Sequence, residues 1–326
     1  MMPQEDILPL LTELQLEHVH GPLHEGQARC VVVRREHEGQ GRALLYLWDT
    51  QEDAARAIDA VAHEALGMHI FAIPEPVQFS KQDRWLLLEH PDGVRLNTWL
   101  EEQGTKTIAD LPLSQSLSLL DSLGVLLRKL HSIDAGGVVG DICAISQERG
   151  NQLPTGCFHT FNGWVASKLE QFTETLNHAS NLDQDQRLSC LKYLGDLRHE
   201  LSSFHPRHPA VFSHGFLKLE NLWVSQSAGD IEVIAMTGFD QACFLPAEAD
   251  LAKLFWIEGL ATLDDTLIRA FYRGYGAAHT MDVQRRERFY RRLAAFDVLL
   301  SPRDHQVNLS SDTLIKLAGP SINPLG

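Results

Sequence analysis

Residues 213–224 read Ser-His-Gly-Phe-Leu-Lys-Leu-Glu-Asn-Leu-Trp-Val, and the prediction of the fold depends on this stretch. An asparagine in such a segment, here Asn221, can hydrogen-bond backbone groups of its own loop. The apolar residues 222–224 predict a short strand, and residues 231–235 predict its partner across the polar turn cluster 225–230. The stretch therefore predicts a loop that leads into a β-hairpin.

Length and composition narrow the class of protein. The chain has 326 residues, of which 44% are hydrophobic and 22% charged, so it can bury a large core and form two lobes. No apolar run approaches the roughly 20 residues of a membrane helix, and the N-terminus lacks a secretory signal pattern. The five cysteines are scattered and form no C-x-x-C pair, which favours reduced thiols. We therefore expect a cytoplasmic protein.

The net charge of −15 limits the classes of partner that the protein can bind. Nucleic acids and anionic membranes need clustered Lys and Arg, so neither is expected as a partner. Cationic or neutral small ligands and protein partners are compatible with this charge.

Strand-like patterns dominate residues 1–92, which we predict to be an N-terminal β-rich lobe. The polar turn 91–93 that follows is the predicted hinge between lobes. The predicted elements of this lobe are strands at 28–35, 42–48, 73–79 and 84–90, a turn at 37–41, a hairpin loop at 21–27 and one amphipathic helix at 51–67.

From residue 93 onward the apolar periodicity changes to about 3.6 residues, so residues 93–326 are predicted to be a C-terminal, mainly helical lobe. The hairpin described above is the only pair of strands expected in it. Helices are predicted at 113–131, 164–176, 185–204, 251–275 and 283–300.

The order of these parts resembles the aminoglycoside phosphotransferase and choline kinase family, relatives of protein kinases that phosphorylate small molecules. The resemblance covers most of the chain. It implies an α+β, bilobal protein-kinase-like fold, with a small N-terminal antiparallel β-sheet lobe containing one helix and a larger, mainly helical C-terminal lobe. It also implies a catalytic-loop remnant at 213–224 and a metal-loop remnant at 236–242. The motifs that carry the resemblance lie at 73–77, 86–93, 123–131, 214–215, 221–224 and 249–252.

The resemblance assigns positions within the loop. The family's loop reads His-Gly-Asp with an Asn five positions after the Asp, which places His214 at the histidine, Phe216 at the catalytic Asp and Asn221 at the Asn. A second family Asp, 12 residues before the Asp of Asp-Leu-Ala (Asp250 here), binds Mg²⁺, and Gly238 occupies its position. In such enzymes the first Asp accepts the hydroxyl proton and the metal neutralises phosphate charge. Neither phenylalanine nor glycine can perform these tasks.

ATP and Mg²⁺ are the cofactors that the resemblance implies. Glu89 and His90 occupy the hinge-like segment and are predicted to bind the nucleotide together with Asn221 and Asp240. Asn221 and Asp240 are also the candidate metal ligands, although the favoured alternative is that the side chain of Asp240 points away from the cleft, because Gly238 occupies the ligand position. The third strand, at 43–48, contains no Lys or Arg to hold phosphates.

Two other groups of residues are candidate sites. His18, His20 and His24 are predicted to be solvated histidines in a loop, and no metal site is assigned to them. An aromatic set is predicted to pack in the core, with an acceptor pocket for a cationic ligand as the alternative. This set is Phe158, Phe161, Trp164, Trp223, Trp256, Tyr272 and Tyr275.

Three functional hypotheses follow. The first is a catalytically impaired, pseudokinase-like protein that binds a small molecule or a protein partner. The second is an active ATP-dependent phosphotransferase with a rearranged metal site formed by Glu220, Asn221 and Asp240. The third, nucleotidyl transfer with ATP in another orientation, has only the unusual loop in its favour.

Overall fold

The computed structural model describes residues 11–12, 14, 16–25, 28–35, 42–48, 73–74, 76–80, 85–146, 153–179, 182–202, 204, 206, 209–227, 229–257, 260, 263–278, 280–300 and 311–318. The elements in these ranges form a five-stranded sheet within residues 16–89 and a mainly helical part from residue 94 onward. The lobe boundary between residues 92 and 93 stays a prediction.

Five antiparallel strands form the N-terminal sheet: β1 (Leu16–Glu25), β2 (Ala28–Arg35), β3 (Arg42–Trp48), β4 (Pro76–Ser80) and β5 (Trp85–Glu89). Their spatial order is β1-β2-β3-β5-β4. The predicted pairing of residues 28–35 with 42–48 is confirmed. The prediction of a hairpin loop at 21–27 is wrong for residues 21–25, because β1 pairs with β2 as far as Glu25 opposite Ala28. The three candidate histidines therefore lie on a strand.

The sheet is buried on both faces. Successive residues of a strand point to opposite faces, and residues 43–47 of β3 are all buried. On one face Leu44 and Leu88 belong to a cluster with Trp223, which comes from far later in the chain. This cluster joins the sheet to the helical part. The opposite face forms a separate cluster of Leu11, Leu16, Val33, Ala43, Leu45, Leu47, Trp85 and Leu87.

The helical part begins after the short strand β6 (Val94–Arg95). The prediction of one helix over 251–275 is wrong, because the first helix ends at Ile257 and Asp264 starts a new one by accepting hydrogen bonds from the backbone N–H groups of Thr266 and Leu267. The other predicted helices are confirmed with small changes of boundary. The helices are α1 (Leu96–Glu102), α2 (Leu113–Leu130), α3 (Phe161–His178), α4 (Gln184–Leu201), α5 (Glu248–Ile257), α6 (Asp265–Tyr275), α7 (Met281–Leu300) and α8 (Ser311–Ala318).

No helix in the described part of the chain is both long enough and apolar enough to cross a membrane. The predicted turn at 37–41 and the predicted helix at 51–67 lie outside the described residues.

The helical part contains more strands than predicted. The expected hairpin is present as β10 (Leu222–Ser227) and β11 (Asp230–Met236), with β6 paired to the other edge of β10. A four-stranded sheet was not predicted. Two of its strands have only three residues, which is too short to show an alternation of apolar and polar side chains. This sheet has the order β8-β7-β12-β9 and contains β7 (Val139–Ser146), β8 (Leu153–Phe158), β9 (Val211–Ser213) and β12 (Cys243–Leu245).

Two glycines bring α2 and α6 into close contact. A Cβ atom added at Gly124 would overlap the carbonyl oxygen of Phe271, and one added at Gly274 would overlap the carbonyl oxygen of Asp121. Only residues without a side chain allow the two backbones this close approach. The contact fixes the C-terminal end of α2, where His131 follows.

We expect Gly124→Ala and Gly274→Ala each to destabilise the protein by about 1–3 kcal/mol, because the added methyl group has no space. Gly195→Ala is the matched control, since a Cβ at this helical position meets no atom within 4 Å. That variant should be stabilised by about 0.5–1 kcal/mol through its higher helix propensity. Urea unfolding of the three variants measures both effects, and equal effects at positions 124 and 195 would contradict the packing argument.

Candidate functional site

The carboxylate of Asp250 organises the site. Asp250 lies in the first turn of α5, and its relative exposure is 1%. Its two oxygens accept hydrogen bonds from the backbone N–H groups of His214 (2.6 Å) and Gly215 (2.9 Å). The Nε2 atom of His131, just beyond α2, lies 3.2 Å from the same carboxylate, and its Nδ1 atom lies 2.9 Å from the hydroxyl of Tyr275. One buried side chain thus holds the start of the loop in place against two helices.

The charge of Asp250 is stabilised by its surroundings. Burial is the largest single effect and by itself raises the pKa of the carboxyl group. The hydrogen bond and charge of His131, with the charges of His214 and Lys253, outweigh burial and hold the pKa of Asp250 below its ordinary value. The carboxylate is therefore ionised at neutral pH.

His214 joins the two loops that the sequence singled out. Its Nε2 atom lies 2.9 Å from the carbonyl oxygen of Thr237, which can only accept, so this nitrogen carries the proton. The imidazole ring also packs against Phe239, with centroids 4.7 Å apart. Gly215 has φ +86°, and a Cβ there would overlap the carbonyl oxygen of Gln241. The segments 213–224 and 236–242 therefore touch at several points, as the resemblance implied.

Phe216 is buried at the position where the resemblance placed a catalytic acid. Its relative exposure is 5%, and it belongs to the same hydrophobic cluster as Phe239. The ammonium groups of Lys218 and Lys253 each lie 5.4 Å from the centre of its ring. Attraction between a cation and an aromatic ring stabilises such contacts. Position 216 therefore combines an apolar ring with two nearby positive charges.

The two lysines were not among the predicted site residues. Lys218 is two residues beyond Phe216, and its ammonium group donates to Glu220 at 3.2 Å. Lys253 comes from α5, where it donates to the carbonyl oxygen of Gly215 and lies 3.9 Å from Asp297. The sequence contained one signal for Lys253: it is three residues after Asp250, a spacing that places two side chains on neighbouring parts of a helix surface.

Asn221 and Gly238 lie side by side. A Cβ atom at Gly238, which has φ +79°, would overlap the side-chain nitrogen of Asn221. The side-chain oxygen of Asn221 accepts a hydrogen bond from the backbone N–H of Lys218 (3.1 Å), and its carbonyl oxygen accepts one from Thr237 (3.0 Å). The amide of Asn221 thus supports its own loop and occupies the space that a side chain at position 238 would need.

The assignment of Asn221 and Asp240 as metal ligands stays a prediction. Asp240 is half-buried beside the turn at Gly238, and Glu220 is paired with Lys218. Within the described ranges, no group of three or more His, Cys, Asp or Glu side chains gathers closely enough to hold a metal ion.

Trp223 fills the space between the N-terminal sheet and the β10–β11 hairpin. Its exposure is 2%, and its indole N–H donates to the hydroxyl of Thr237 at 3.3 Å. The ring of His90 meets it edge-on at 5.0 Å, and the guanidinium carbon of Arg95 lies 5.2 Å from its centre. Burial is the main reason that the pKa of His90 lies below its ordinary value. Glu89, in contrast, is exposed at the end of β5.

The other aromatic candidates pack within the protein. Trp256 lies under the guanidinium group of Arg291, whose central carbon is 4.2 Å from the ring centre. Phe161 contacts Trp164, with centroids 6.0 Å apart. Phe158, Tyr272 and Tyr275 contact the same hydrophobic core as the others.

The contacts of Asp250 predict a dependence of stability on pH. Replacing Asp250 by Asn should cost about 3–5 kcal/mol of unfolding free energy, because it leaves buried partners without their charged acceptor. In the wild type, the contribution of a carboxyl group with a lowered native pKa is present above its ordinary value of 3.8 and is lost as the pH falls through the native value. The wild type should therefore lose more stability than Asp250→Asn as the pH falls from about 5 through 3.8 and toward the lower native value.

Urea unfolding over this pH range is the measurement, with Glu232→Gln on the exposed side of β11 as the control. Parallel stability curves for the wild type and Asp250→Asn would contradict the assigned role of the carboxylate.

Solved structures of phosphotransferases share this fold. A thermostable mutant of aminoglycoside phosphotransferase APH(4)-Ia, in a ternary complex with AMP-PNP and hygromycin B, has a TM-score of 0.63 at 14% identity, covering 96% of this chain and 99% of its own. Macrolide 2'-phosphotransferase MphH from Brachybacterium faecium has a TM-score of 0.56 at 16% identity, covering 97% and 98%. The GDP complex of aminoglycoside 2'-phosphotransferase-IIIa has a TM-score of 0.61 at 14% identity, covering 95% and 94%.

These similarities confirm an α+β, bilobal protein-kinase-like fold. A search of curated protein sequences finds no match. The model of the APH phosphotransferase enzyme family matches residues 22–302, which is most of the chain. The protein therefore belongs to the phosphotransferase enzyme family of the aminoglycoside phosphotransferase type.

Proposed function

We propose that this chain is a member of the family that has lost phosphoryl transfer and acts by binding a small molecule or a protein partner. The observation that carries the proposal is Phe216, a buried phenylalanine with two ammonium groups 5.4 Å from its ring centre, at the position that the resemblance assigns to the catalytic acid. A phenyl ring accepts no proton from a hydroxyl group. Loss of a general base alone typically lowers the rate by about 10² to 10⁴.

The residues at the metal position do not fit Mg²⁺. This cation binds carboxylate oxygens in a near-octahedral arrangement. Gly238 offers no oxygen from a side chain, and the amide nitrogen of Asn221 occupies the adjacent space. The ammonium groups of Lys218 and Lys253 near Phe216 would repel a second cation placed close to them. We therefore assign no step that depends on bound metal.

The packing of Trp223 supports a loss of nucleotide binding. The resemblance puts the base of ATP at the hinge that follows β5, where Trp223 packs against the sheet residues Leu44 and Leu88. Indole and purine are both fused bicyclic rings of similar size, so a buried indole takes up the volume that a purine base needs. The third strand adds no Lys for the phosphates. These features support a protein that does not use ATP in the manner of its family.

The alternative of an active enzyme would need Glu220, Asn221 and Asp240 to hold Mg²⁺. Glu220 is paired with Lys218, and the side-chain oxygen of Asn221 accepts a backbone hydrogen bond. Both groups would have to leave these partners, so the non-catalytic proposal is preferred.

Phe216→Asp alone is expected to give no phosphotransferase activity. The substitution supplies a carboxylate, but position 238 still lacks its metal ligand. ADP release from ATP, measured with a panel of aminoglycosides, choline and fructosamines, is the assay, and the wild type is the reference. Activity of the single variant would overturn the assignment of Gly238 to the metal position.

Calorimetry with ATP tests the proposed loss of nucleotide binding. The wild type should show no binding at millimolar ATP with or without Mg²⁺, whereas Trp223→Ala should bind ATP because the variant leaves a cavity between the lobes. The same cavity should lower stability by about 3–5 kcal/mol. Trp256→Ala, a tryptophan far along α5, is the control for loss of a large ring.

Mg²⁺-dependent ATP binding by the wild type that disappears in an Asn221→Ala, Asp240→Ala double variant would contradict the proposal. That result would support an active phosphotransferase with a rearranged metal site.

A further inference from the structure

The contact between the N-terminal sheet and the helical part includes one ionisable ring, the imidazole of His90. This residue follows β5 directly, and its backbone N–H donates to the carbonyl oxygen of Arg42 on β3 (3.3 Å), which keeps it with the sheet. Its ring meets Trp223 edge-on, with ring centres 5.0 Å apart. Trp223 belongs to the other side, because β10 pairs with β6 and β11. The contact between His90 and Trp223 therefore spans the two parts of the protein.

We propose that this contact is a pH-sensitive switch, in which neutral His90 holds the sheet against the β10–β11 hairpin and protonated His90 releases it. Release would expose Trp223 together with Leu44 and Leu88, which form one buried cluster in the closed state. The proposal goes beyond the proposed function, because it concerns how the two parts are held together and applies whether or not phosphate is transferred.

The charges around His90 oppose its protonation. The guanidinium carbon of Arg95 lies 5.2 Å from the centre of the Trp223 ring, and Arg95 is 4% exposed. Two exposed groups of opposite sign also act on His90, Arg42 from β3 and Asp92 from the following turn. Solvent screens these two charges more than it screens the buried guanidinium group. A proton on His90 would therefore add positive charge close to a buried cation.

The indole ring compensates this cost only in part. An aromatic ring attracts a cation, and the guanidinium group of Arg95 already makes such a contact with Trp223. A second cation at the same ring would be repelled by the first. Burial in the contact also costs more for a charged imidazolium than for a neutral imidazole. The closed contact therefore favours neutral His90.

The sign of the pH dependence follows from the two states of the contact. Burial is the largest effect on His90 and lowers its pKa below the ordinary value of 6.5. A hydrogen bond with the backbone of Pro91 and the charge of Asp92 raise the pKa in part, and the charges of Arg42 and Arg95 lower it. When the contact opens, water reaches the ring and the pKa returns toward 6.5.

The open state therefore binds more protons than the closed state in mild acid. The contact is fully present above pH 6.5 and weakens as the pH falls through 6.5 toward the lower native value of His90. One such group raises the ratio of open to closed protein by up to about tenfold between pH 7.5 and pH 5.5. This window lies above the pH range in which Asp250 loses its contribution to stability.

Hydrogen exchange of the indole N–H of Trp223, followed by NMR on the full chain, tests the switch. This N–H donates to the hydroxyl of Thr237 and is buried, so its exchange reports opening of the contact. Its signal is identified among the six tryptophans by its loss in Trp223→Phe. After correction for the intrinsic pH dependence of exchange, its protection should fall by several-fold, up to about tenfold, from pH 7.5 to pH 5.5. The protection of Trp164, buried in α3, should stay constant.

Two variants connect the response to His90. His90→Gln cannot take up a proton, so the protection of Trp223 should agree within about twofold at the two pH values. His199→Gln, on the exposed side of α4, is the matched control and should respond like the wild type.

Two exposed positions keep the proposal testable where His90→Gln does not fold. Arg42→Gln should raise the pKa of His90, because it removes a neighbouring cation, and Asp92→Asn should lower it, because it removes the acid. Titration of the His90 ring proton signals measures both shifts. A pKa of His90 at or above 6.5 in the wild type, or shifts of the opposite sign in the two variants, would overturn the switch.

Three results of the exchange experiment would also contradict it. These are an unchanged protection of Trp223, an equal loss at Trp223 and Trp164, and a response in His90→Gln as large as in the wild type. None of them bears on phosphoryl transfer, which the ADP-release assay decides.

Discussion

The hydrogen bonds from the backbone N–H groups of His214 and Gly215 to the carboxylate of Asp250 are the constraint on which the site depends. Short bonds to a buried, ionised acceptor are stronger than bonds between neutral groups. They fix the start of the loop relative to α5, and His131 ties the same carboxylate to the end of α2. Every later residue of the loop takes its position from this arrangement.

The proposed function combines this scaffold with a loop that lacks the reactive groups of the family. Active sites hold charged groups in positions that cost stability, and removing them commonly stabilises a protein. Here Phe216 and Gly238 lie at the two positions that the resemblance assigns to acids, and Phe216 and Trp223 are buried in hydrophobic clusters. Under the proposed function, this packing would hold the loop in its geometry without catalysis to maintain it.

The resemblance assigned positions in two loops, with Asn221 five residues after Phe216 and Gly238 12 residues before Asp250. The contact of Asn221 with Gly238 was not itself predicted, because it depends on how the two loops pack. The role of Lys253 was not predictable, because it depends on the direction in which α5 presents its side chain. The strands β9 and β12 were missed because three residues are too few to show a period. The contact of Trp223 with Leu44 and Leu88 was not predictable either, because it depends on how the N-terminal sheet packs against the β10–β11 hairpin.

Positions 216 and 238 differ in how the surrounding structure would accommodate an acidic side chain. At position 216 a carboxylate would lie near two ammonium groups, which favour its ionised form and compensate part of its burial. At position 238 a side chain would meet the amide of Asn221 and a backbone φ of +79°, a left-handed conformation that favours glycine. Asn221 would have to give up its hydrogen bond with Lys218 to make room. Under the proposed function, the barrier to metal binding lies at Gly238 and in the loop that Asn221 supports, whereas the two ammonium groups near position 216 would favour an ionised acid there.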